Sequence, residues 1–90
     1  MSFDDALVLL RGWCGRPVRV ALEPEGTRLE GVLAELDAAG VDGALFALDR
    51  EKLTGVAFAL FRDGVDALRR EDGELVVRQG RVTVTVTLAG

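Results

Sequence analysis

The chain carries two hydrophobic periods, one after the other. Near its start Phe3, Leu7 and Leu10, flanked by Ala6 and Trp13, recur at helical spacing, while Asp4, Asp5 and Arg11 fall on other sides. Ser2, followed three residues later by Asp5, has the form of a capping box with a short acid. The pattern predicts an amphipathic helix over about residues 3–12, stopped near Gly12 to Gly15, whose apolar stripe needs a surface to lie on.

From Pro17 onward the period is two. Val18, Val20 and Leu22 alternate with Arg19 and Ala21 in a first strand, with Pro at a starting position that a strand tolerates. Glu23-Pro24-Glu25-Gly26 reads as a turn, and a second strand spans about Arg28 to Leu36. There Leu29, Gly31 and Leu33 share one face, and Val32, Ala34 and Leu36 the other, so its far half is expected to be covered on both sides. Gly31, inside the strand, predicts a bulge or a sharp bend that curls the sheet.

Asp37 to Gly43 reads as a second turn, Ala44 to Leu48 as a third strand, Asp49 to Lys52 as a charged turn, and Gly55 to about Phe61 as a fourth strand. Arg62-Asp63-Gly64 turns the chain again, and Val65 to Arg70 fits either a short fifth strand or a helical turn. Leu75 to Val77 and Arg81 to Leu88 flank Arg78-Gln79-Gly80 as a hairpin. In its last arm Val82, Val84, Val86 and Leu88 alternate with Thr83, Thr85 and Thr87, a stripe with strong β propensity on both faces.

One helix followed by five to seven short strands at hairpin spacing predicts a mainly β fold. The expected form is a small SH3-like or Sm-like barrel of five or more antiparallel strands with an N-terminal α-helix, closed so that few edges remain. Residues 1–90 read as one domain, with the barrel over about 17–70 and a C-terminal hairpin over about 74–88.

Composition narrows the chemistry. With 11 Lys and Arg against 15 Asp and Glu the net charge is −4, which argues against an overall basic nucleic-acid binder and leaves room only for a local patch. The sole basic concentration is Arg62, Arg69, Arg70, Arg78 and Arg81, and a mixed-charge solvated face is the favoured reading of it. The absence of His removes imidazole-based triads and mixed Cys/His zinc sites, and the single Cys14 has no imidazole to activate it. Cys14 is therefore expected to be a small core residue, and Trp13 a lid over one end of the barrel. The acidic residues follow no calcium-loop spacing, and Gly26 and Gly31 are not followed by the Lys-Ser/Thr of a phosphate loop. Neither a catalytic residue nor a metal or cofactor site is expected. The acidic N-terminus and the lack of any long apolar run predict a cytoplasmic protein without a membrane segment.

The segment from the helix through the second strand resembles the first motif of the Sm/LSm family, through Val18, Val20, Leu22, Gly26, Gly31, Leu33 and Asp37. Phe61-Arg62-Asp63-Gly64-Val65-Asp66-Ala67-Leu68 is the nearest match to its second motif, so the resemblance covers roughly the first 70 residues. It implies RNA as a partner, with Asp37, Arg62 and Gly64 as the matching site positions. After Asp37 the chain runs Ala38-Ala39-Gly40-Val41, without the Asn and the stacking side chain of that family's base site. Gly15 to Val20 with Glu30-Gly31-Val32-Leu33 also looks like the C-terminal barrel of bacterial ribosome-maturation factors. That resemblance ranks second because those proteins carry a further N-terminal domain.

The Sm-type resemblance also implies ring assembly by edge pairing. An apolar terminal strand is a hazard unless paired, so Val82, Val84, Val86 and Leu88 are the candidate oligomer interface; the same strand could equally complete its own barrel. The function expected is a non-enzymatic, homo-oligomeric Sm-like binding module with RNA as its implied ligand. The alternative is a structural or protein–protein interaction module without nucleic acid.

Overall fold

The computed structural model describes residues 1–38, 42–49 and 58–89, with the backbone alone for 37 and 38. Residues 39–41 of the turn expected over 37–43, residues 50–52 of the charged turn expected over 49–52, and the start of the fourth strand at 55–57 lie outside the described residues, while 37–38 belong to the second strand and 43 to the third.

Helix α1 spans Phe3–Trp13 and begins as its capping residues dictate. Ser2 Oγ accepts from the Asp5 N–H and Asp5 Oδ2 accepts from the Ser2 N–H, each at 3.1 Å. Phe3, Ala6, Leu7, Leu10 and Trp13 are all buried, so the 3.6-residue stripe is the face turned to the core. On its other side Arg11 reaches across to Glu35 with three contacts of 3.0–3.2 Å.

Seven antiparallel strands follow: β1 (Pro17–Glu23), β2 (Thr27–Ala38), β3 (Gly43–Leu48), β4 (Phe58–Phe61), β5 (Ala67–Glu71), β6 (Glu74–Gln79) and β7 (Val82–Leu88). They form one sheet in the order β4-β3-β2-β1-β7-β6-β5. Val18, Val20, Leu75, Val77, Val84 and Val86 fill one core with the helix stripe and with Leu33, Phe46, Phe58 and Leu60. The Phe46 and Phe58 rings stack there with centroids 5.2 Å apart. The alternate positions Arg19, Glu30 and Thr87 face one another across three strands, as do Ala21, Arg28 and Thr85, which places the threonines of β7 in a polar outer layer.

Several expectations need correction. The sheet is not closed among the described residues, where β4 and β5 are its two edges. The β1–β2 ladder runs through Gly31 without a break, opposite Val18, and the register shift lies between Glu35 and Asp37. The stretch 65–70 contributes β5 rather than a helical turn, with the tight turning left to a 3-10 segment at Arg62–Gly64. The C-terminal strand is no appendage. β7 pairs with β6 on one side and with β1 on the other, so both of its edges are consumed within the chain.

Candidate functional site

Of the positions singled out by sequence, Arg62 and Gly64 share the 3-10 segment after β4, and Asp37 lies in β2. Asp37 is opposite Leu45, immediately past the register shift. Arg62 opens the 3-10 segment, and its Nη2 donates to Asp4 Oδ1 at 2.7 Å while Nε donates to Asp42 Oδ1 at 3.2 Å. Its guanidinium also sits 4.7 Å above the Phe3 ring. The hydrogen bond and positive charge of Arg62 hold the Asp4 carboxyl below its ordinary range, and the two carboxylates raise Arg62 in turn. Arg62 thus ties the N-terminus of α1 to the segment before β3 and to the end of β4. A phosphate approaching it would have to compete with two carboxylates already in place.

Gly64 ends the same segment but borders a different feature. Its nearest neighbours beyond the adjoining chain are Gln79 Oε1 and Phe61 Cβ, both 3.7 Å from where a Cβ would stand. Among the candidate interface positions Val84 and Val86 are 2% and 0% exposed, inside the core, with Val82 and Leu88 packed against it. In the chain as described, this stripe faces the core and β7 is paired on both sides. Trp13 is buried in the same core, and Cys14, half-buried beside it, has its thiol pushed up by desolvation. No group of three or more acidic, Cys or His side chains among the described residues is arranged to hold a metal ion. Among them, too, no helix is long and apolar enough to cross a membrane.

One concave feature among the described residues is a seam beside the β4 edge of the sheet. A groove of about 540 Å³ runs between β4 and β7, walled by Phe58 and Phe61 on one side and by Leu22, Val82 and Val84 on the other. Phe61 is half-exposed at its rim. Gln79, at the end of β6, bridges the seam: its Oε1 accepts from the Phe61 N–H at 3.0 Å and its Nε2 donates to the Ala59 carbonyl at 2.7 Å. At the same end the Asp66 carboxylate accepts from the Gly80 N–H at 2.8 Å, fixing the β6–β7 turn. Sequence reasoning passed over Gln79 as a turn residue, although it is the one carboxamide side chain in the chain. No family model, curated protein or solved structure matches the chain.

Proposed function

We propose that the protein is a non-enzymatic, Sm-like β module that associates with further copies of itself through the open seam beside β4. The observation that carries this reading is the apolar groove along β4, an edge strand among the described residues, with the Phe61 ring half-exposed at its rim. The net charge of −4 and the engagement of Arg62 by Asp4 and Asp42 favour a protein partner over RNA. The lack of His and a half-buried lone thiol whose pKa is raised by desolvation support a binding role rather than a catalytic one.

Sedimentation equilibrium over a wide concentration range tests the proposal. The parent chain is expected to associate reversibly, and Phe61→Asp, which sets a charge at the rim of the groove, to weaken that association by roughly tenfold or more. A parent chain that stays monomeric at every concentration would overturn it.

A further inference from the structure

The Gln79 clasp on β4 has the chemistry of a strand pairing. A primary amide offers one carbonyl acceptor and an N–H donor, the same pair that a peptide group presents to a sheet edge. Leu60 and Phe58 lie opposite Ala44 and Phe46 on β3. The N–H of Phe61 and the carbonyl of Ala59 are instead taken by Gln79, so the side chain stands where the backbone of a further strand would stand.

Those two atoms are also each other's natural partners in a second copy. In a two-fold pairing of β4 with β4 about Leu60, Ala59 of one chain falls opposite Phe61 of the other. A hydrogen-bonded pair of an antiparallel ladder exchanges both N–H···O bonds. The Phe61 N–H of each copy would then donate to the Ala59 carbonyl of its mate, replacing both Gln79 bonds with equivalents. The opposite edge is less suited. A full-length two-fold pairing of β5 (Ala67–Glu71) centres on Arg69 and sets the two like charges face to face, whereas Phe58–Phe61 carries no charge.

We propose that Gln79 is an edge guard: its carboxamide caps β4 in the free chain and is displaced when a second copy adds its own β4, giving a symmetric dimer with a continuous sheet. This rests on the reading that the chain self-associates, and it specifies the edge and the gate.

Sedimentation equilibrium of the full-length parent, Gln79→Ala and Gln79→Glu tests both ideas separately. Removing the competing amide is expected to tighten the dimer roughly tenfold in Gln79→Ala. Gln79→Glu keeps the size but sets a carboxylate against the Ala59 carbonyl, so it shifts association the same way and decides the matter if the alanine form does not fold. Adding Ala59→Lys to either variant places a charge on the β4 edge and is expected to reverse the gain. A monomeric parent with dimeric Gln79 variants would uphold the guard and sink the self-association reading. A parent that associates, with folded variants that associate no more tightly, would sink the guard alone.

Discussion

At the scale of single residues, Asp49 explains the glycine in the second strand. Asp49 holds a positive φ of 52°, its N–H donates to the Val32 carbonyl at 2.9 Å, and its Oδ1 accepts from the Val32 N–H at 2.8 Å. Its carboxylate is thereby pinned over residue 31, where an added Cβ would lie 2.6–2.8 Å from three of its atoms. Gly31 is thus a site of close approach by a side chain rather than a bulge. Gly31→Ala displaces the Asp49 carboxylate and weakens its bond to the Val32 N–H, and is expected to cost about 0.5–1.5 kcal/mol. In an Asp49→Gly background the same substitution should cost little, because the obstructing carboxylate is gone. Urea unfolding midpoints of the four chains, combined as a double-mutant cycle, check this coupling; equal costs in both backgrounds would refute it. Cys14 offers a second residue-level test. Because burial raises its thiol, labelling by a disulfide reagent at neutral pH should be slower in the folded chain than in the urea-unfolded one.

At the scale of elements, α1 is held at its start by two devices whose pH response can be derived. Asp5 is lowered by its hydrogen bond from the Ser2 backbone and Asp4 by its bond with Arg62. A carboxyl whose folded value lies below the unfolded one, about 3.9, binds fewer protons when folded. Its stabilisation is present above that unfolded value and is lost as the pH falls through the lower folded one. The melting temperature should therefore fall as the pH drops below about 4, and Arg62→Gln should flatten the fall by releasing Asp4. Ser2→Ala should cost about 1 kcal/mol at neutral pH by removing the cap. An acid limb of unchanged slope in Arg62→Gln would refute the Asp4 assignment. These elements also show what sequence reading can reach. The helix and the strand faces were legible because periods of 3.6 and 2 are local properties, written in Phe3, Leu7 and Leu10 and then in Val18, Val20 and Leu22. The carboxylates on Arg62 were not, since they lie 58 and 20 residues away along the chain. Nor was the Gln79 clasp, because nothing local to Arg78-Gln79-Gly80 says which edge its amide will meet.

At the scale of the whole molecule, the strand order decides what the C-terminal stripe is for. A hairpin appended to a finished barrel could be removed with the barrel left standing. Here, among the described residues, β7 joins the β1 side of the sheet to the β5–β6 hairpin, and it supplies Val84 and Val86 to the common core. Truncation after Arg81 would strip the ladder partner from β1 and β6 together and open the core between them. The truncated chain is therefore expected to lose its cooperative thermal transition and its near-ultraviolet dichroism, Trp13 being part of that core. Phe61→Asp, by contrast, alters a half-exposed side chain at the rim of the seam and should keep both signals while changing only association. The two variants separate the roles that an apolar terminal strand left undivided. If the truncated chain still melted cooperatively with its tryptophan signal intact, β7 would be dispensable to the fold and its valines would again be available for contact between copies.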